Sequence, residues 1–238
     1  MRPIVCCMFF VSVAGCTDLS SADLKTAGMS ADITVSADGT GQSQVTAQFH
    51  VDDNATDFVS LSTGDSATAA CAGQTETLSQ SNVLGDISYQ TSFTGEDGAG
   101  AAYTVALTRT SDVSAPSSTC TMPSPFTVTA PTSSGSYSRS TADLTVTYTN
   151  GGTQDPMSWS VSGDCVSVAV GSVSNDAGTF TIPRGSLTPA GSSQTASATC
   201  QATLTLTRSR QGQLDSHYGS GGSIFAQQIR TVTFNSAP

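Results

Sequence analysis

Apolar and polar residues alternate with a period of two along most of this chain, the pattern of strands that bury one face. Ile33 and Val35 begin it, and Asp38-Gly39-Thr40-Gly41 supplies a turn. Val45, Ala47, Phe49 and Val51 then alternate unbroken up to Asp52-Asp53-Asn54. Phe58, Val59 and Leu61 predict the next strand. Ile87, Tyr89, Thr91 and Phe93 predict a further one, closed by the hairpin signal Gly95-Glu96-Asp97-Gly98. Tyr103, Val105 and Leu107 form the clearest strand, and Phe126 and Val128 are read as the last strand of the first half.

The second half repeats the plan. Leu144, Val146 and Tyr148 take the places of Val45, Ala47 and Phe49, and Met157, Trp159 and Val161 follow. Val166, Val168 and Val170 predict a further strand, ahead of Phe180 and Ile182 and then Ala202, Leu204 and Leu206. Val105-Ala106-Leu107-Thr108-Arg109 parallels Leu204-Thr205-Leu206-Thr207-Arg208, and Gly163-Asp164 stands where Gly64-Asp65 stands in the first half. Roughly six or seven short strands per half, with turns about every 8–12 residues, predict a β-sandwich. The expectation is an all-β chain of two tandem sandwiches, 31–130 and 131–238. Ala130-Pro131 with Thr132 to Ser136 forms a short linker that would make a fairly stiff rod.

Composition supports strands over helices. Only 11% of the residues are charged, so the surface must be Ser, Thr, Asn, Gln and Gly, and lysine occurs once, at Lys25. The net charge of −10 is uneven. Gly28 to Ala130 holds 11 acids against Arg109 alone, whereas Pro131 to Pro238 holds five acids and five arginines. An acidic first half argues against nucleic acid as a partner, since phosphates require a basic footprint. It argues equally against charge-driven binding to anionic lipid.

The N-terminus has its own logic. Met1 and Arg2 precede an apolar run, Ile4 to Val11, that ends at small residues and falls well short of the ~20 apolar residues of a spanning helix. Val13-Ala14-Gly15-Cys16 resembles the lipobox of bacterial lipoproteins. That resemblance implies a signal peptide over 1–15, lipidation of Cys16, and Thr17 favouring the outer membrane. Residues 16–30, polar with few large apolar side chains, are expected to be a lipid-anchored tether.

With Cys6 and Cys7 in the signal and Cys16 lipidated, Cys71, Cys120, Cys165 and Cys200 remain. An even remainder in an exported protein reads as disulfides. Of three possible connectivities, one bridge per domain gives Cys71–Cys120 and Cys165–Cys200, each worth roughly 4 kcal/mol in the chain-entropy model. Zinc would need CxxC-like spacing, which is absent. Trp159, the single tryptophan, precedes Cys165 by six residues, and with Cys200 this resembles the immunoglobulin-like pattern. The order differs from Cys, Trp, Cys, and Tyr103 only loosely resembles a tyrosine corner. The sandwiches are therefore read as immunoglobulin-like or fibronectin-III-like by architecture more than by motif.

Candidate chemistry is sparse. No GxSxG, HExxH, SxxK, GxGxxG or P-loop pattern occurs, so the chain is not expected to be an enzyme and no catalytic residue is assigned. His50 falls on the polar side of its strand and is expected in solvent. Asp52, Asp53 and Asp57 are candidate calcium ligands, although Asp is also an ordinary turn residue; no other cofactor is implied. Ser209 to Gln228 is read as a long glycine-rich loop, with Arg210, His217, Tyr218 and Phe225 as candidate binding residues. The alternative is that its apolar residues tuck against the sheet. The expected function is a non-enzymatic, lipid-anchored envelope protein presenting two sandwiches for adhesion or for protein or glycan recognition. The alternative is a structural spacer or accessory subunit without a ligand.

Overall fold

The computed structural model describes residues 19–173, 176–191 and 198–238, and Cys16 and the signal-like segment lie outside them. Among the described residues no helix is long and apolar enough to cross a membrane. The chain is all-β and forms tandem β-sandwiches.

The first sandwich uses β1 (Leu19–Ser20), β2 (Met29–Ala37), β3 (Gln42–Val51), β4 (Asn54–Ser60), β5 (Ser66–Cys71), β6 (Gln74–Thr77), β7 (Ser79–Val83), β8 (Asp86–Thr94), β9 (Ala102–Thr108) and β10 (Ala115–Thr121). β3 pairs with β2 along one edge and with β8, then β4, along the other; β10-β9-β5-β6 is the facing sheet. Between them lies a core in which Phe49, Phe93, Tyr103, Ile33 and Leu107 are fully covered. Each such side chain contributes about 1.5–3 kcal/mol by leaving water.

The second sandwich uses β11 (Val128–Ala130), β12 (Ser136–Ser138), β13 (Leu144–Tyr148), β14 (Met157–Gly163), β15 (Val166–Val173), β16 (Thr179–Ile182), β17 (Cys200–Gln211) and β18 (Ser223–Ala237). Its sheets are β12-β18-β17-β14-β15 and β11-β13-β16. Phe126 and Val128, read as the end of the first sandwich, belong here: β11 pairs with β13, and Phe126 packs on Tyr148 and Leu206. The joint therefore falls at Met122 to Pro125, ahead of the cis Ala130–Pro131 bond. Nothing in a short Phe-x-Val run says which neighbouring sheet it will join.

The two sandwiches share a ribbon. β17 and β18 pair continuously from Cys200↔Ser236 to Gln211↔Phe225. The first part of β18, Ser223 to Gln228, also runs parallel to β2, so one eleven-stranded sheet passes through both units. Tyr218, Ile224 and Ala226 are buried in the first core, although the sequence assigned them to the second domain.

Residues 19–28 are not a free tether. β1 pairs with β4, and Ser21 and Thr26 are fully buried. Cys165 and Cys200 form a disulfide, S–S 2.06 Å. Cys71 and Cys120 do not, contrary to the sequence reading: both are free and buried. They flank Tyr103 in register, one on β5 and one on β10. Two strand spacings, about 9.5 Å, separate them, beyond disulfide reach.

Candidate recognition surfaces

The segment singled out as a binding loop is largely a seam. Gln213 exchanges both backbone hydrogen bonds with Thr119 at 2.8 Å, closing the gap beside β10. Gly212 makes this approach possible, since a Cβ there would lie 2.1 Å from the Thr119 carbonyl oxygen. Asp215 accepts bonds from the Ser117 N–H and hydroxyl, both at 2.7 Å, and lies 2.7 Å from Nδ1 of His217. Burial pushes its carboxyl up, but these hydrogen bonds outweigh burial and hold it at about 2. Tyr218 is buried and stacks on Phe49 at 6.4 Å. Phe225 is half-buried within β18, and Arg210 grips Asp155 through two bonds of 2.8 and 2.7 Å. Of the four candidates, the His217 side chain is half exposed and that of Arg210, held by Asp155, 38% exposed, while Tyr218 and Phe225 are mostly covered. The apolar residues tuck in, as the alternative reading held.

The acidic turn is equally plain. Asp52 and Asp53 sit at the β3–β4 turn, and Asp57 accepts a 2.8 Å bond from Asn54 Nδ2. Among the described residues no group of three or more His, Cys, Asp or Glu is set to hold a metal ion. His50, expected in solvent, is 4% exposed. A register shift between β3 and β4 lays Phe58 against its ring at 5.0 Å, and burial lowers its pKa despite Asp32 at 3.7 Å.

Two buried arginines hold the segments that enter each sandwich. Arg109 bonds Asp65 at 2.7 Å, Thr26 Oγ1 at 3.1 Å and the Leu24 carbonyl at 3.0 Å, and it also donates to the Ser21 carbonyl. Arg208 bonds Asp176 at 3.0 Å, the Ser124 carbonyl at 2.6 Å and the Asn150 carbonyl at 2.9 Å, with its guanidinium 5.0 Å from the Phe126 ring centroid. The duplication seen in the sequence is thus a duplicated clasp. Its acidic partner in the second unit is Asp176, not the Asp164 suggested by the motif. Burial pushes the Asp65 carboxyl up, but hydrogen bonds from Thr110, Ser21 and Arg109 prevail and hold it at about 2. At the joint, Arg230 donates to the Ala37 carbonyl at 3.1 Å, and Gln228 to the Asp97 carbonyl at 2.6 Å.

The surface the sequence did not disclose lies on β15. Val161 pairs with Ala169, but Gly163 pairs with Val166, so β15 carries one extra residue. This bulge reverses the strand's facing. Val166 stays buried, whereas Val168 and Val170 are 74% and 73% exposed. The three valines of this expected strand are therefore split between core and solvent. Beside these valines run Ser158, Ser160 and Ser162 of β14, then Thr203, Thr205 and Thr207 of β17, in register with Thr233, Thr231 and Ile229 of β18. A shallow groove of about 300 Å³ crosses this face between Ser160, Val170, Thr205 and Thr207. No charged side chain interrupts these outward positions. Behind them Trp159 packs tightly across Gly171, where a Cβ would come within 2.7 Å of the ring.

The Tyr103 hydroxyl donates to the Glu96 carbonyl, seven residues upstream, at 2.5 Å.

No family model matches the chain, and no curated protein matches it. Solved structures similar to it are immunoglobulin-like and fibronectin-type proteins. One is the FN1–FN3 segment of chicken CNTN1, at TM-score 0.29 and 9% identity; the match covers 87% of this chain and 65% of that one, so the chain spans about two thirds of its length. A titin A168–A169 fragment matches at TM-score 0.26 and 10% identity, over 87% of this chain and 96% of that one. Another similar structure is SGBP-B of the Bacteroides ovatus mixed-linkage glucan utilization locus, in complex with a mixed-linkage heptasaccharide, at TM-score 0.21 and 11% identity, over 98% of this chain and 70% of that one. At these TM-scores no ligand or partner passes from them to this chain.

Proposed function

We propose that this is a non-enzymatic, lipid-anchored envelope protein whose second sandwich recognises an uncharged partner, a protein surface or neutral glycan. The observation that carries this reading is the bulge in β15, which turns Val168 and Val170 out beside a hydroxyl-rich face without charge. Exposed valines on such a face favour contacts made by shape, hydroxyl hydrogen bonds and apolar burial over ion pairing. The anchor is Cys16, on the grounds of the lipobox resemblance. Retention of the purified chain on insoluble neutral polysaccharides and on intact cells tests the reading, with Val170→Lys as the comparison. Retention lost in Val170→Lys at unchanged thermal stability supports it; retention equal in both forms refutes it. The shared β17–β18 ribbon favours the second reading, a stiff spacer, and that reading stands if neither form is retained.

A further inference from the structure

We propose that the end of the first sandwich at which β1 begins is a lipid-contacting surface, with Leu84 at its apex, suited to a bilayer without net negative charge. The inference rests on the Cys16 anchor proposed above. Val83, Leu84 and Val113 are 63%, 100% and 56% exposed, the large apolar side chains that the first sandwich leaves in solvent among the described residues. Leu84 is the first residue of the two-residue turn joining β7 and β8, at φ +57°. Asn, Asp or Gly favour that position, and a branched apolar side chain there serves neither the turn nor the core.

The register places these residues together. Tyr89 pairs with Ala47, so β8 followed back to Leu84 reaches the level of Asp52, at the tip of β3. Val113 lies at the same end: its carbonyl accepts a 2.5 Å bond from Thr26 Oγ1, close to Met29, which pairs with Val51. Leu19 pairs with Val59 and Ser20 with Ser60 in parallel, so β1 begins on the Asn54 side of β4, again this end. Cys16 stands three residues before Leu19, a covalent reach of about 10 Å. An anchored Cys16 thus brings this end, and its exposed leucine and valines, to the bilayer interface. Short apolar tips of this kind add to a lipid anchor without replacing it.

Charge selects the lipid. Asp52 and Asp53 close β3, Asp86 opens β8 beside Leu84, Asp112 accepts from the Thr26 N–H, and Asp23 and Lys25 lie in the turns just before Thr26, so an anionic surface repels this end and a zwitterionic one does not.

The test uses the lipidated full chain purified from membranes, carrying Leu84→Trp or Val170→Trp, on vesicles of phosphatidylcholine with brominated acyl chains. Flotation reports the anchor separately from quenching. The expected result is that all forms float and Leu84→Trp shifts to the blue and loses most of its added emission. The unsubstituted chain, reporting Trp159, and Val170→Trp remain unquenched. Replacing part of the lipid with phosphatidylglycerol reduces the Leu84→Trp quenching at low salt. A chain that floats with Leu84→Trp unquenched overturns the proposal and leaves the anchor standing. Equal quenching at both positions means the molecule lies flat, and also overturns it. A chain that does not float overturns the anchor and, with it, the proposal.

Discussion

Replacing Arg208 by methionine tests how the second sandwich holds the chain that enters it. Methionine keeps much of the apolar stem but removes the donors to Ser124, Asn150 and Asp176. Both partners of the ion pair are essentially buried, at 0% and 2% side-chain exposure, so solvent screens little of the loss. Asp176 would keep its bonds from Thr153 but lose its counter-ion. Breaking one side of a buried pair costs about 3–5 kcal/mol, because the remaining charge has lost its counter-ion. In a chain of this size that lowers Tm by about 8–15 °C. Calorimetry and urea titration measure both quantities. The double variant Arg208→Met with Asp176→Leu removes both charges and should be clearly more stable than the sum of the two single losses predicts. A single-variant loss below about 1 kcal/mol, or a double variant that merely adds, would refute charge compensation as the role of the pair.

Four further outcomes are expected. Alkylation under denaturing, non-reducing conditions should modify Cys71 and Cys120 but spare Cys165 and Cys200. In the folded chain even the free thiols should resist, since burial raises both and pushes Cys120 up to about 12. Asp65 and Asp215 are both held near 2, below the unfolded carboxylate value, so their stabilisation is present above pH ~4 and is lost as pH falls toward 2. Urea midpoints should drop across that window, and Asp65→Asn should flatten the slope. Gly171→Ala should displace Trp159, costing about 1–3 kcal/mol with a shift in tryptophan emission. Val168→Lys should change stability by no more than about 0.5 kcal/mol, because the side chain is already in water.

Strand content was readable wherever an unbroken alternation met a core on one side. Val45 to Phe49 and Tyr103 to Leu107 needed nothing beyond their own pattern. The same rule found the strand of Val168 and Val170 but not which way they face, because a bulge is a property of a strand pair and leaves no mark in an otherwise regular Val-x-Val-x-Val run. Cys71 and Cys120 were paired by counting, whereas their register across Tyr103 decides the matter. Glycines between Gln211 and Ser223 suggested a free loop, yet they let backbone approach backbone at Thr119 and Ala31. The polar run 19–28 looked loose because its hold is provided from afar, by Arg109. The repeated Leu-Thr-Arg tails were legible as a motif, and their shared task as clasps became visible only with the carbonyls they grip.

The pairing of Ser223 to Gln228 with β2 also fixes an order of events. Ser223 bonds Asp32 across 191 residues of sequence, and Tyr218 fills a core begun by Met29. A chain that emerges from its amino end cannot finish the first sandwich until nearly all of the second has appeared. Until then β2 has an unmet edge and Phe49 lacks the ring that stacks on it, a state of long-range closure that is slow and exposed to aggregation. Loss of the last sixteen residues, Ser223 to Pro238, would accordingly strip the second sandwich of a strand and, at the same stroke, unmake the edge of the sandwich farthest from them in sequence.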